Sequence, residues 1–207
     1  MPGKAALRSE LLTARRLLSD EDARRAAAVL ARRALELPEL ARARTVAAYV
    51  SVGREPGTRA LLDALRTRGV RVLLPVLMAD NDLDWAPYEG AERLVRAGRG
   101  LLEPDGARLG PDAVLEAEVV LLPGLAVDGR GMRLGRGGGS YDRVLGRLER
   151  AGAVPALAVL LYDGEVVARV PTEPHDRPVQ AVVTPGGVLR FGAGDARVPD
   201  GRCRHES

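Results

Sequence analysis

The sequence predicts an α/β layered fold: an open, mostly parallel sheet flanked by helices, with a helical N-terminal arm. Three observations carry this. Residues 45–74 read strand–helix–strand, the unit whose strands pair in parallel. Two short apolar runs, residues 119–122 and 155–161, have the composition of strands buried on both faces. Amphipathic helical stretches lie before and between them.

The elements follow in order. Residues 4–18 have helical periodicity, with Leu7, Leu11, Ala14, Leu17 and Leu18 on one face and Arg8, Arg15 and Arg16 off it. Ser19 suits an N-cap, and Asp20, Glu21 and Asp22 favour the positive end of the helix that follows. That helix runs to residue 37, where Pro38 stops it. Residues 45–50 are a strand. Residues 58–68 are a helix with Leu61, Leu62 and Leu65 on one face and Gly69 just past its end. Residues 70–74 complete the unit. Residues 83–88 alternate and read as a more exposed strand, whereas residues 90–118 carry no clear pattern. After the strand at 119–122 come a glycine-rich loop and a helix over 141–150. The strand at 155–161 precedes two short strands, 181–184 and 188–191, paired through Pro185-Gly186-Gly187. One domain is expected over residues 1–191, with residues 192–207 a polar, disordered tail.

Composition narrows the function classes. The chain has 207 residues, 46% hydrophobic and 29% charged, which are globular proportions. With aromatics at 3%, the core must be built from Leu, Val and Ala. A net charge of +3, from 31 basic and 28 acidic residues, is too balanced to mark a nucleic-acid binder, and few rings are present to stack on bases. No apolar stretch is long and unbroken enough to span a membrane, and charges run through the first thirty residues, unlike a signal peptide. A cytoplasmic protein with no membrane partner is expected. The one cysteine, Cys203, excludes an intrachain disulfide and a cysteine-built metal cluster. Of the 31 basic residues one, Lys4, is lysine, leaving 30 arginines.

The most informative stretch is 123–143, PGLAVDGRGMRLGRGGGSYDR. Six of the eleven residues 129–139 are glycine. A glycine-dense loop between a strand and a helix lets backbone amides approach an anion, and the helix start adds a positive dipole end. Arg130, Arg133 and Arg136 add charge in a fork suited to phosphate oxygens. The loop is not a P-loop, because no Gly-Lys-Ser/Thr follows, and Ser140 stands where the dinucleotide fingerprint needs its third glycine. Asp142 follows directly. Beside a triphosphate a lone carboxylate can hold magnesium, which keeps most of its waters; without one it would simply serve the helix dipole.

Taken together, the motifs resemble the 5-formyltetrahydrofolate cyclo-ligase (5,10-methenyltetrahydrofolate synthetase) family. The resemblance rests on Pro123-Gly124, Asp128 and the run from Arg133 to Arg143, RLGRGGGSYDR. It extends to Lys4 and Arg8 in the first helix, Gly53 and Glu55 after the first strand, residues 100–104, and Pro171 to His175-Asp176 followed by 179–184. The motifs keep the family's order across nearly the whole chain.

The resemblance implies an ATP- and Mg2+-dependent ring closure of 5-formyltetrahydrofolate to 5,10-methenyltetrahydrofolate, with ADP and phosphate released. It implies that Lys4, Arg8, Arg133, Leu134, Gly135, Arg136, Gly137, Gly138, Gly139, Ser140 and Tyr141 bind ATP. Val50, Glu55 and Arg136 to Ser140 would meet the reduced folate, and Asp142 and Asp176 the magnesium. Lys4, Arg136 and Glu55 would be the catalytic groups, in a monomer or weak homodimer. Two positions depart from the family's frequent Gly-Tyr-Gly-Gly-Gly-Tyr-Tyr-Asp: Arg136 and Ser140 stand in the tyrosine places. Ser140 keeps open a substrate-shifted enzyme or a catalytically silent paralogue that binds ATP and a folate-like ligand. Retention of Lys4, Arg8, Glu55, Asp142 and Asp176 together argues against silence.

Overall fold

The computed structural model describes residues 3–174 and 176–192; His175 and the expected tail beyond Gly192 lie outside the described residues. The elements are α1 (Lys4–Leu17), α2 (Asp20–Ala34), α3 (Pro38–Arg42), β1 (Thr45–Ala47), α4 (Arg59–Thr67), β2 (Arg71–Leu77), β3 (Leu83–Pro87), β4 (Leu94–Arg96), β5 (Leu102–Pro104), β6 (Val119–Leu122), β7 (Ala126–Asp128), β8 (Arg133–Leu134), α5 (Ser140–Arg150), β9 (Ala156–Leu160), β10 (Val166–Val167), β11 (Ala181–Thr184) and β12 (Gly187–Arg190).

Seven strands form the main sheet in the order β12-β11-β9-β6-β1-β2-β3. The five inner strands are parallel, and the edges β3 and β12 are antiparallel. Successive side chains on each strand enter opposite layers, as a period of two requires. Val46, Val119 and Leu121 pack with Leu30, Leu40, Leu61, Leu62 and Leu65 of α2, α3 and α4. Ala47, Val120 and Leu122 pack with Val144 and Leu148 of α5 on the other side. Both faces are covered, so the inner strands are continuous apolar runs in the sequence.

A second, three-stranded sheet has the order β10-β7-β8: β7 and β8 lie inside the stretch read as an unbroken glycine loop, and β10 joins them from residues 166–167. Its apolar residues Leu125, Ala126, Leu134 and Val170 receive Leu11 of α1, with Leu7 and Leu12 at the margin. The N-terminal helix therefore docks on this small sheet.

Four expectations need correction. Pro38 does not end the helical region; α2 closes at Ala34, and Pro38 opens α3 at a position where its missing N–H costs nothing. The strand at 83–88 is not exposed, since Trp85 is fully buried and Asp84 nearly so. Its polar residue is reconciled locally: the Asp84 carboxylate accepts from its neighbour Trp85 N at 2.7 Å and from Gly110 N at 2.8 Å. On α1, Arg15 is buried and Leu17 is 82% exposed. The face that meets the protein runs Lys4, Arg8, Leu11, Arg15, because α1 packs on a surface that is half apolar and half polar. Arg130, read as charge for an anion, is turned onto Asp128 at 2.7 Å and the Val170 carbonyl at 3.2 Å.

Candidate active site

In the sheet, β1 and β6 are neighbours, yet the chain leaves β1 for β2 on one side and β6 for β9 on the other. Such a switch point opens a crevice beyond the carboxyl ends of the strands, the usual ligand position in open α/β sheets. The segments emerging there are those the sequence singled out: 48–58 after β1, and 123–142 after β6.

The first segment is cinched by its own hydroxyls. Ser51 N donates to Thr58 Oγ1 at 2.9 Å, Thr58 N to Ser51 Oγ at 3.1 Å, and Thr58 Oγ1 to the Tyr49 carbonyl at 2.8 Å. This turn carries Glu55, whose side chain is 10% exposed and whose Oε2 accepts from Val52 N at 2.8 Å. Oε1 lies 3.4 Å from Arg136 Nε of the glycine loop. Val50 is in the α4-side core, leaving little but its backbone to a ligand.

The second segment is fixed before the loop begins. Asp128, fully buried, accepts from the backbone N–H groups of Arg130, Met132 and Val170 and from the Arg130 side chain. Burial alone would raise its pKa, but the Arg130 side chain and the backbone donors outweigh it and hold the carboxyl below its ordinary value. Asp128 thus shapes the β7–β8 turn. Leu134, expected among nucleotide contacts, buries its side chain under α1 and anchors the loop's start.

From there the loop runs between two arginines. Arg8 Nε donates to the Gly135 carbonyl at 2.9 Å. Its guanidinium crosses Gly137, where a Cβ would lie 3.2 Å from Cζ and where φ is +91°, a conformation that favours glycine. On the other side Arg133 Nη1 donates to the Pro123 carbonyl at 2.9 Å, and Nη2 lies 3.7 Å from Asp142 Oδ1. Burial holds the Arg133 guanidinium below the ordinary arginine value, with Asp142 and Tyr141 acting against it. Gly139, at φ +76°, turns the chain into α5, so Ser140 and Tyr141 open that helix and Asp142 sits in its first turn. Arg136, Gly137 and Gly138 are exposed. The Tyr141 ring packs toward the α5-side core, and its hydroxyl is buried without a hydrogen-bond partner among the described residues. Burial, then the Glu55 charge, push that hydroxyl well above the ordinary tyrosine value, while Arg133 opposes.

Lys4 reaches the same place from α1. Its Nζ lies 2.8 Å from Asp176 Oδ2 and 3.3 Å from Glu173 Oε2. Asp176 Oδ2 also accepts from Glu173 N at 2.8 Å. Asp142 and Asp176, with Arg133 and Glu149, line a cavity of about 130 Å³. Among the described residues no group of three or more His, Cys, Asp or Glu is placed to hold a metal by itself. Two carboxylates on a cavity with room for several waters suit a cation that keeps its hydration, which is magnesium's habit.

The predicted residues thus come together, apart from the inward-turned Val50 and Leu134. Sequence reasoning missed Glu173 and the buried Arg15–Glu165 pair. Only Arg15 left a signal, since 4, 8, 11 and 15 continue one helical face.

Comparison with known proteins agrees with this architecture. The model of the 5-formyltetrahydrofolate cyclo-ligase family matches residues 1–185. A Mycolicibacterium smegmatis protein named 5-formyltetrahydrofolate cyclo-ligase is 46% identical over 149 residues, 69% of this chain and 74% of its own. An Escherichia coli K12 protein of the same name is 34% identical over 182 residues, 86% of this chain and 97% of its own. The solution structure of Aquifex aeolicus 5,10-methenyltetrahydrofolate synthetase superposes with a TM-score of 0.78 at 27% identity, covering 97% of this chain and 99% of that one. The chain belongs to the 5-formyltetrahydrofolate cyclo-ligase family, a family of ligases.

Proposed function

We propose that this protein closes 5-formyltetrahydrofolate to 5,10-methenyltetrahydrofolate at the expense of ATP, which leaves as ADP and phosphate. The observation that carries this is the convergence at one switch point of Lys4, Arg8 and Arg133 around the glycine loop, with two carboxylates on the adjoining cavity and Glu55 beside it.

The chemistry assigns work to each group. A formamide oxygen leaves poorly, so it first attacks the γ-phosphorus of ATP and ADP departs. N10 then adds to the activated formyl carbon and loses its proton, and phosphate leaves with the former formyl oxygen. Catalysis of such transfers is mostly positioning and charge stabilisation. Lys4 and Arg8 hold the outer phosphates, and the exposed amides of Gly137 and Gly138 line the approach. Arg136 neutralises charge developing on the phosphoryl group and swaps Glu55 for it. Glu55 then accepts from the N–H edge of the pterin. Asp142 and Asp176 are the groups that would hold magnesium, which supplies charge neutralisation on the phosphates.

The test is the near-ultraviolet band of the methenyl product. It should appear with ATP and Mg2+, vanish without ATP, and fall sharply in Asp142→Ala. Nucleotide binding without a band would favour a shifted substrate, with Ser140→Tyr the next variant. Neither binding nor band would leave a silent paralogue.

A further inference from the structure

Beyond the loop-facing groups of α1 lies a buried ion pair that the reaction does not use. Arg15 is 3% exposed and Glu165 5%. Arg15 Nε donates to Glu165 Oε1 at 2.6 Å and Nη2 to Oε2 at 2.9 Å. Nη2 also donates to the Gly124 carbonyl at 2.7 Å. Glu165 Oε2 in turn accepts from Tyr162 N at 3.0 Å. The Arg15 guanidinium lies 5.8 Å from the centroid of the Tyr162 ring, and its Nη1 is buried with no acceptor among the described residues.

A buried pair of this kind seldom adds stability over two well-packed apolar side chains, because taking both charges out of water offsets most of their attraction. An unpaired buried nitrogen makes the balance worse. What a two-pronged arginine–carboxylate contact supplies is direction. Apart from Lys4 and Arg8 themselves, the contacts that hold α1 on the protein are apolar: Leu11, with Leu7 and Leu12, against the three-stranded sheet. Such contacts are non-directional and would tolerate a small turn of the helix. Each residue of an α-helix advances it by roughly 100°. A slip of one position would therefore swing Lys4 and Arg8 away from the loop.

The fork prevents that slip, and it does so against the loop's own root. Gly124 follows Pro123, whose carbonyl is held by Arg133. Two buried arginines, one on α1 and one in the loop, thus grip consecutive carbonyls of the same turn.

We propose that Arg15, acting through Glu165 and the Gly124 carbonyl, is a positioning residue for the nucleotide phosphates: it sets the rotation and register of α1 that present Lys4 and Arg8 to the glycine loop. This rests on the ATP-dependent reading above.

The experiment compares wild type, Arg15→Met, Arg15→Lys and the double variant Arg15→Met/Glu165→Met. It measures melting temperature, KM for ATP and for the folate, and binding of a non-hydrolysable ATP analogue. Arg15→Met strands Glu165 and should lower both melting temperature and nucleotide affinity. The double variant should recover most of the melting temperature but keep KM for ATP raised by about 10–100-fold, the loss expected for one or two misplaced charge-assisted hydrogen bonds, with KM for the folate little changed. Recovery of KM for ATP in step with melting temperature would overturn the proposal, as would equal rises in both KM values. If Arg15→Met does not fold, Arg15→Lys decides: it keeps a charge for Glu165 but cannot also reach Gly124, so a wild-type KM for ATP would overturn the proposal. A wild type that turns over without ATP, or binds none, would instead overturn the nucleotide reading itself.

Discussion

Glu55 and Arg136 meet with 3.4 Å between Oε1 and Nε, one from the turn after β1 and the other from the glycine loop. The arginine is half exposed, so the contact is weak and readily exchanged. On the proposed function the two partners separate when the site fills, Glu55 to the N–H groups of the folate and Arg136 to the anionic oxygens of the nucleotide. Glu55→Gln should therefore raise KM for the folate by about 10–100-fold with KM for ATP little changed. Arg136→Ala should do the reverse and also lower kcat. Steady-state kinetics with each substrate varied in turn checks both.

Glycine at 137 is required by backbone and space together. Gly137→Ala places a Cβ at φ +91° against the Arg8 guanidinium. About 1–2 kcal/mol of stability should be lost, with a rise in KM for ATP. Gly138→Ala has open space and ordinary φ and should melt as wild type. Thermal melts of the two variants separate conformational strain from composition.

Arg147 holds the Asp82 carboxyl below its ordinary value, through bonds at 2.7 and 3.2 Å that tie the β2–β3 turn to α5. The folded value is lower than the unfolded one, near 3.9. This contribution to stability is thus complete above the unfolded value and is lost as pH falls through the folded one. Melting temperature measured from pH 7 down to about 2 should fall less steeply in Asp82→Asn than in wild type below about pH 4.

Leu62, fully buried beneath the main sheet on the α4 side, packs far from the loop groups in sequence and layer. Leu62→Ala should cost about 2–5 kcal/mol in urea unfolding. The folded fraction should retain wild-type KM values.

The parts of the fold legible in the sequence were those whose environment is uniform. The strands within 45–74 and the strand at 119–122 are apolar because both sheet faces are covered, and pattern reading finds them. The small sheet escaped, since strands of two or three residues such as Arg133–Leu134 have no period to detect. Arg15 and Asp84 misled because charge was equated with exposure, while each is held in the interior by specific partners, Glu165 and the Gly124 carbonyl for the first and backbone N–H groups for the second. The site was legible as a motif from Arg133 to Asp142 and as isolated residues elsewhere. That Lys4 meets Asp176, 172 positions away, is a product of the fold and has no local trace.

The lysine contact has a chemical corollary. Lys4 is the sequence's one side-chain amine. Burial lowers its basicity, but Asp176 and Glu173 more than restore it, leaving the ammonium favoured beyond the usual lysine value. Only an uncharged amine attacks an activated ester, so the two carboxylates shield this amine from acylation. Acylating reagents at neutral pH would modify this side chain sluggishly, and any solution change that loosens the carboxylates would announce itself as faster covalent labelling at a single position.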